Sequence, residues 1–348
     1  TRVAIIGLDP LQRDWLEALA EMGRAGEVEI VAVGHRTLAA AKDLAAALQA
    51  GAAAPAAYDD ARLLLNDASP EVLVLDRSSR FPLEQLLHCA TQKIGVLALG
   101  PPVENVGEAQ ALAERLEAKS HLLYVWPRTM DSAGFRQATD ANLTEEWIRP
   151  IKFAWGSWLG ANHALAKGGG GLASSVGSVR SLSVLTWDAL STLIAIMGLP
   201  SSVYASVRGT VGTGASFSDL SGSASLTMRF AEDVTASLVL SDQWATAPRR
   251  KLALAGQGGT AVLTPASQVW RSAAGAVVDE SAGVAPRSPR EEAASTFREF
   301  LRHRALPTSP QRGWEHRIEA TAAALEAMVV SHRTGQPESP ERFLRLRR

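Results

Sequence analysis

The 348-residue sequence has one cysteine, almost no net charge and no apolar run long enough to span a bilayer. Because Cys89 stands alone, the chain can form neither an intramolecular disulfide nor a cysteine-rich zinc site. Its apolar neighbours in residues 86–90 favour a buried structural thiol over a nucleophile. The 35 basic and 36 acidic side chains leave a net charge of -1, which argues against a nucleic-acid partner.

The same absences bear on location and on metals. We expect no membrane partner, and a strand pattern that starts at the first residues shows no signal peptide, so a cytoplasmic protein is expected. The seven histidines are scattered and no pair has ligand spacing on a helix, so no metal site is predicted. No G-x-S-x-G motif marks a serine nucleophile. The basic residues 342–348 are interpreted as a solvated tail rather than a binding patch.

Strand and helix patterns alternate through the first part of the chain. Continuous apolar runs are typical of parallel strands that are covered on both faces, and they occur at residues 2–8, 28–33, 71–75, 95–99 and 121–125. Helical patterns separate these runs at residues 37–50, 83–91 and 104–119, with a further helix starting near Asp59. The alanine-rich residues 51–57 are predicted to form a loop. This alternation predicts a doubly wound parallel sheet, which binds ligands beyond the carboxyl ends of its strands.

The first strand-to-helix turn is where a dinucleotide would bind through a G-x-G-x-x-G motif. The chain keeps Gly7, but Asp9 replaces the second glycine and Pro10 removes a backbone donor. Two interpretations remain, a weakened phosphate site or a turn without a ligand. The second strand ends at His35 and Arg36, without the carboxylate that pairs with the NAD ribose. Arg36 therefore favours NADP if a dinucleotide binds, and otherwise caps a loop in solvent.

The second part of the chain changes to a period of two. Alternating apolar residues at 223–230, 235–240, 250–255 and 260–263 predict a mostly antiparallel sheet with one covered face. Residues 291–301 and 314–332 are predicted helices, whereas residues 209–222 and 273–289 are predicted to be irregular. We therefore expect two domains, residues 1–126 and 127–335. Residues 336–348 either pack back on the second domain or form a tail.

Two segments carry a family resemblance. After the strand at residues 95–99 stand Gly100, Pro101 and Pro102, then a helix and another strand. A glycine run at residues 168–171 is followed by a helix and a closing element at residues 193–205. This arrangement resembles the Gfo/Idh/MocA (glucose–fructose oxidoreductase / inositol dehydrogenase) family. That family has Glu-Lys-Pro where this chain has residues 100–102, and a histidine where it has Asp188.

The resemblance implies an α/β fold with an N-terminal Rossmann-like doubly wound parallel sheet and a C-terminal α+β domain with a mostly antiparallel open sheet. It implies an NAD(P)-dependent oxidoreductase that acts on a sugar- or polyol-like small molecule, and Arg36 favours NADP over NAD. No cofactor at all is the alternative. The positions that would contact a cofactor are Gly7, Asp9, Leu11, His35, Arg36, Arg77, Gly100 and Pro102.

The resemblance leaves three candidates for catalysis. Asp188, near the start of a helix, could act as a general base, or it could be a carboxylate favoured by the helix dipole. His163 could replace the missing histidine and Lys167 the missing lysine, or both could be solvated loop residues. The degenerate motifs also allow a catalytically inactive pseudoenzyme with a binding or regulatory role, or a reaction that uses no dinucleotide. The open face of the second sheet leads us to expect a homodimer or homotetramer.

Overall fold

The computed structural model describes residues 1–8, 13–49, 54–76, 82–119, 123–125, 129–136, 138, 148, 150–161, 182–211, 220–244, 249–282, 288–305 and 314–345. The chain forms two compact units. Unit 1 comprises Thr1–Val103, Gln110–Trp126 and Arg287–Glu315, and unit 2 comprises Glu104–Ala109, Pro127–Pro286 and His316–Arg348. A segment from late in the sequence therefore belongs to the first unit, whereas the sequence-based division assigned residues 127–335 to one domain.

Ten α-helices lie in the described residues. They are α1 Arg13–Arg24, α2 Leu38–Ala47, α3 Ala61–Ala68, α4 Leu83–Gln92, α5 Val106–Lys119, α6 Ala133–Arg136, α7 Leu182–Met197, α8 Pro289–Ala305, α9 Trp314–Thr334 and α10 Pro340–Arg345.

Unit 1 is built on a six-stranded parallel sheet. Its strands are β1 Arg2–Ile6, β2 Glu29–Gly34, β3 Ala56–Tyr58, β4 Val72–Leu75, β5 Gly95–Ala98 and β6 Leu123–Val125. They are arranged in the order β3-β2-β1-β4-β5-β6, and every pair is parallel. The strand order reverses beside β1, which is where a doubly wound sheet opens a crevice for a ligand. The predicted doubly wound sheet is confirmed.

The prediction of a loop at residues 51–57 was wrong at its end, because Ala56 and Ala57 belong to β3. This edge strand has three residues, and Ala56 pairs with Ala32 of β2. Alanine carries little strand propensity. Pairing with β2 forms the strand, and that pairing leaves no periodic signal in so short a segment.

Short capping interactions begin the helices beside this edge of the sheet. The side chain of Thr37 accepts a hydrogen bond from the backbone N–H of Ala40 at the start of α2. Asp60 Oδ1 accepts from the N–H groups of Arg62 and Leu63 at 2.7 and 3.0 Å at the start of α3. Such caps satisfy N–H groups that have no partner within the helix. They place the first turns of α2 and α3 directly after β2 and β3.

Helix α8 completes the core of unit 1. Phe297 and Phe300 are fully buried and join the apolar cluster that also contains Val3, Leu19 and Leu97. The exposed side of α8 is held by ion pairs with the region of α1. Arg298 donates two hydrogen bonds to the carboxylate of Glu27, at 2.7 and 2.8 Å, and Arg290 pairs with Glu21. Buried aromatic surface supplies most of the packing energy, since exposed ion pairs contribute little.

Unit 2 contains an eight-stranded sheet. Its strands are β7 Ile151–Ala161, β8 Ser202–Thr210, β9 Ser221–Arg229, β10 Thr235–Trp244, β11 Arg249–Gly256, β12 Gly259–Thr264, β13 Ser267–Ser272 and β14 Val277–Ala282. The order is β14-β13-β12-β11-β7-β10-β9-β8, and only β7 and β10 are parallel among these strands. Together with the sheet of unit 1, it confirms the predicted fold class.

Helix α7 covers one face of this sheet. Nearly all of its residues are buried, including both its apolar and its hydroxyl-bearing side chains. On the strands beneath, the residues predicted to share one face are buried together, among them Ala224, Leu226 and Met228. The alternation predicted for residues 223–230 is therefore confirmed.

The prediction that residues 273–289 are irregular was wrong in part, because β14 runs through Val277–Ala282. It pairs antiparallel with β13 at the edge of the sheet. Asp279 and Glu280 interrupt the apolar pattern that normally marks a strand. Backbone pairing with β13 decides the conformation here.

The segment after α9 packs back on unit 2. The backbones of Glu338 and Val203 exchange two hydrogen bonds, at 2.8 and 2.9 Å, and Pro340 is buried. Of the two arrangements expected for residues 336–348, the structure shows packing through at least Pro340. No helix in the described part of the chain is long and apolar enough to cross a membrane.

Candidate functional site

A cleft of about 360 Å³ opens in unit 1 at the carboxyl ends of β1, β2 and β3. This is the edge at which a doubly wound sheet binds its ligands. The cleft is lined by Ile6, Gly34, His35, Arg36, Asp59, Asp60, Ala61, Arg62, Pro82 and Gln85. His35 and Arg36 were predicted from the sequence as cofactor contacts, and the structure brings them together here with residues of α3 and α4.

Two glycines lie where β1 and β2 end beside the cleft. Gly7 follows β1 with φ of 77°, a conformation that favours glycine, and its N–H donates to the carbonyl of Gly34 at 2.9 Å. A Cβ on Gly34 would approach Leu64 Cδ1 to 3.0 Å and Ile6 Cγ1 to 3.1 Å. Gly7 therefore leaves β1 in a left-handed conformation beside the end of β2. The turn that follows, with Asp9 and Leu11, lies outside the described residues, as does Arg77.

Two polar atoms in the cleft wall are buried without a partner. Nδ1 of His35 and Oε1 of Gln85 are shielded from solvent and have no hydrogen-bond partner among the described residues. A buried polar atom without a partner costs about 1–3 kcal/mol. Because both atoms are closed to solvent, a ligand in the open cleft would reach them only if the wall moved. Sequence analysis missed Gln85, because a single glutamine on a helix resembles any solvated polar residue.

The charged residues of the cleft are exposed and of both signs. Arg36, Asp59 and Arg62 all reach solvent. Asp60 differs, because one of its oxygens is already engaged as the cap of α3. The mouth of the cleft is therefore charged, whereas Ile6 and Gly34 at its base are buried. Such a mouth suits a ligand whose phosphate or hydroxyl groups remain partly hydrated.

Gly100 and Pro102 follow β5 and do not line this cleft. Gly100 adopts a φ of 136°, which strains any other residue. Pro101 stands beside it, so this turn carries no cationic side chain. In the Gfo/Idh/MocA family, which the sequence resembles, a lysine occupies this turn. Proline can supply neither the charge of that lysine nor a hydrogen-bond donor.

Asp188 lies in the second turn of α7 and is fully buried. Its Oδ1 accepts from the backbone N–H of Thr129 at 2.8 Å. Its Oδ2 accepts from the Thr129 hydroxyl at 2.5 Å and from Trp158 Nε1 at 3.1 Å. Arg250 Nε lies 3.5 Å from the same oxygen. A carboxylate with this many donors is held in one orientation, which favours a structural role.

The other two candidates for catalysis, His163 and Lys167, lie outside the described residues. Asp242 is a further buried carboxylate, and sequence analysis did not single it out. It accepts hydrogen bonds from the backbone N–H groups of Leu182, at 3.1 Å, and Gly222, at 2.9 Å, and burial raises its pKa. A signal for it existed, since Asp242 continues the covered-face alternation of Leu238 and Leu240.

Cys89 is fully buried, as the sequence predicted. This burial raises the pKa of its thiol to about 12. Such a thiol is not nucleophilic at neutral pH. No group of three or more potential metal ligands occurs among the described residues.

Solved structures of NAD-binding oxidoreductases share this fold. A levoglucosan dehydrogenase in complex with NADH and levoglucosan superposes with a TM-score of 0.71 at 13% identity, covering 97% of this chain and 98% of that chain. GenD2 from gentamicin A biosynthesis, in complex with NAD, superposes with a TM-score of 0.68 at 15% identity, covering 97% of this chain and 95% of that chain. An oxidoreductase from Thermotoga maritima superposes with a TM-score of 0.71 at 16% identity, covering 98% of this chain and 99% of that chain.

No protein-family model and no curated protein matches the sequence. At these identities the structural likeness establishes the fold of the chain over nearly its whole length and nothing finer.

Proposed function

We propose that the protein is an NAD(P)-dependent oxidoreductase that acts on a sugar- or polyol-like small molecule. The observation that carries the proposal is the cleft of unit 1, which lies at the carboxyl edge of the parallel sheet beside its switch point and has charged side chains at its mouth. The shared fold supports it, since proteins with this fold are described in complexes with NADH and levoglucosan, and with NAD.

The residues of the cleft fit the adenosine half of a dinucleotide. The charged side chains at the mouth suit the hydroxyl and phosphate groups of this half, and Gly7 adopts a left-handed conformation directly after β1. His35 and Arg36 would hold this half, and the turn that contains Gly7, Asp9 and Leu11 would face the phosphates. Arg77, Gly100 and Pro102 would border the remainder. When bound, the nicotinamide supplies the hydride acceptor or donor, and the protein binds and orients it.

Arg36 directs the choice of cofactor in this proposal. It follows β2 and its side chain is exposed at the mouth of the cleft. An arginine at this place suits the 2′-phosphate of NADP, whereas NAD is usually bound by a carboxylate. Calorimetric titration with NADPH and NADH tests both the function and the preference. Arg36→Ala should weaken the affinity for NADPH by about tenfold and leave the affinity for NADH unchanged. Arg24→Ala, at an exposed position, should change neither affinity. Absence of binding for both cofactors would remove the proposal.

Proton transfer to or from the substrate is assigned to Asp188, His163 or Lys167 as alternatives. The donors around Asp188 favour the other two. A second candidate function, a binding protein without catalysis, is favoured by the absence of a cation at Pro101 and by the engagement of Asp188. Cofactor binding without turnover of any sugar or polyol would support this second candidate.

Self-association is proposed through the uncovered face of the second sheet. Phe153, Trp155, Tyr204 and Val239 each expose between 40% and 44% of their surface on it. The outward positions of β9 and β10 are mostly polar, and the exception is Val239 of β10, which pairs with Ser157 of β7 on the same face as Trp155. Exposed apolar patches of this kind mark interaction surfaces, and a second copy of this chain is the proposed partner.

A further inference from the structure

The outer edge of strand β8 in unit 2 is covered by the end of helix α9 and the segment after it. Among the described residues β8 is the last strand of the eight-stranded sheet, so its outward N–H groups need acceptors other than a neighbouring strand. Three successive outward N–H groups find such acceptors. Val203 donates to the carbonyl of Glu338 at 2.8 Å, Ala205 to Ser331 Oγ at 3.0 Å and Val207 to His332 Nδ1 at 3.2 Å.

The three acceptors differ in how they respond to a proton. The carbonyl of Glu338 and the hydroxyl of Ser331 do not titrate in water. Nδ1 of His332 accepts only while it carries no hydrogen, which requires the neutral ring with its hydrogen on Nε2. A protonated imidazole has a hydrogen on both nitrogens, so a donor would then face the N–H of Val207. Of these three bonds, the one to His332 is therefore the bond that a proton breaks.

The end of α9 offers the charged ring an alternative stabilisation. His332 lies in the last turn of this helix, which ends at Thr334 and is followed by Gly335 in a left-handed conformation, with φ of 68°. The carbonyl end of a helix carries partial negative charge and favours a cation in its last turn. His332 is half-buried, so water reaches the ring. The neutral and the charged ring are thus each favoured by a different neighbour.

Few other titratable groups surround this ring in the described residues. On β8 they are Tyr204 and Arg208, which are exposed and alternate with the buried Val207. Arg333 stands beside His332 on α9. Beyond the helix, the carboxylate of Glu338 lies 3.6 Å from the guanidinium of Arg342. The carboxylate nearest to the end of α9 in the sequence therefore already has a cationic partner.

We propose that His332 is a pH-sensitive latch between α9 and the edge of β8. While the ring is uncharged, it accepts from Val207 and closes the edge. When the ring binds a proton, this bond is lost and the end of the edge is released, whereas the bonds of Val203 and Ala205 remain. A free N–H at the edge of a sheet is a pairing site for another strand, so the latch makes exposure of this site depend on pH. No cofactor or substrate takes part, and the inference stands apart from the proposed function.

The test is amide hydrogen exchange at single-residue resolution on the full chain, corrected for the intrinsic effect of pH. Protection of the Val207 amide should fall about tenfold between about pH 7.5 and about pH 5.5. Protection of the Ala205 amide, whose acceptor is a hydroxyl, should change by less than about twofold.

Two variants of the latch separate the proton from the side chain. The amide oxygen of His332→Asn can accept from Val207 but binds no proton, so protection should stay high at both pH values. His332→Leu offers no acceptor, so protection should be low at both. His88→Asn, which removes a half-buried histidine of α4 in unit 1, is the matched control and should behave as wild type.

The pH dependence is the decisive quantity. Wild-type protection of Val207 that does not change with pH would overturn the latch. A pH-dependent fall that persists in His332→Asn or His332→Leu would also overturn it, because the proton would then act elsewhere. An equal fall at Val207 and Ala205 would contradict a release confined to the end of the edge.

Discussion

Asp188 accepts two hydrogen bonds from a single residue, Thr129, through the backbone N–H at 2.8 Å and the hydroxyl at 2.5 Å. Trp158 donates a third bond to this carboxylate. All of these groups are buried, so helix α7, strand β7 and the turn at Thr129 are joined around one negative charge. The contacts favour a stabilising role for a side chain that the sequence had suggested for catalysis.

The first prediction concerns this carboxylate. Asp188→Asn replaces one accepting oxygen with an amino group, so one donor faces another donor and Arg250 loses its charged partner. We expect a loss of about 3 kcal/mol in the free energy of unfolding, measured by urea denaturation. Asp233→Asn, on an exposed turn, is the control and should change stability by less than about 0.5 kcal/mol. A stable Asp188→Asn protein that binds cofactor but has lost turnover would instead indicate a catalytic role.

The second prediction separates the two kinds of contact made by α8. Phe297→Ala removes a fully buried ring from the core of unit 1 and should cost about 3–5 kcal/mol. Arg298→Ala breaks an exposed ion pair with Glu27 and should cost less than about 1 kcal/mol. Both changes are read by thermal or urea unfolding. Equal costs would contradict the prediction, because they would show that the exposed ion pair stabilises this helix as much as its buried ring does.

The third prediction concerns acid stability. The backbone N–H of Arg2, with added help from Arg304, holds the pKa of Glu71 below its usual 4.5. A lowered pKa in the folded state contributes stability above the unfolded value, and this contribution is lost as the pH falls through the folded value. Glu71→Gln should therefore flatten the fall in the urea midpoint between about pH 5 and pH 3. Glu114→Gln, at an exposed position, should leave that fall unchanged. A Glu71→Gln protein whose urea midpoint falls with pH as steeply as that of the wild type would contradict the prediction.

The fourth prediction concerns self-association. Trp155→Asp places a charge in the middle of the exposed apolar patch of unit 2 and should convert an oligomer into monomers in sedimentation experiments. Leu63→Asp, which alters an exposed apolar residue of α3 in unit 1, is the matched control. A wild-type protein that already sediments as a monomer at about 100 μM would contradict the proposed interface.

Much of the fold follows from local patterns in the sequence. After a charged first residue in β1 and in β2, the runs at β1, β2, β4 and β5 contain no polar side chain, and this is what burial on both faces of a parallel sheet requires. The alternation in β9 reports a sheet with one covered face. Strand β7 escaped prediction because apolar residues occupy both of its faces, Phe153 and Trp155 on one and Ala154 and Trp158 on the other. Its period-two signal is therefore erased.

The candidate site was predicted only in part. Gly7, His35 and Arg36 follow strands, so their places at the carboxyl edge could be deduced from the order of elements. Gln85 could not be found in this way, because nothing local distinguishes a glutamine that faces a cleft from one that faces water. Asp188 was found by its position relative to a family motif, and that position does not reveal which donors surround it.

The sequence by itself determined the two kinds of sheet and the placement of the first strands, because periodicity arises from the geometry of adjacent residues. Only the tertiary structure decided that His35 and Gln85 share a cleft, that Asp188 meets Thr129, and that helix α8 packs in unit 1. These contacts join residues far apart in the chain. Strand order and close packing select them among many compact alternatives, and no local pattern encodes that selection.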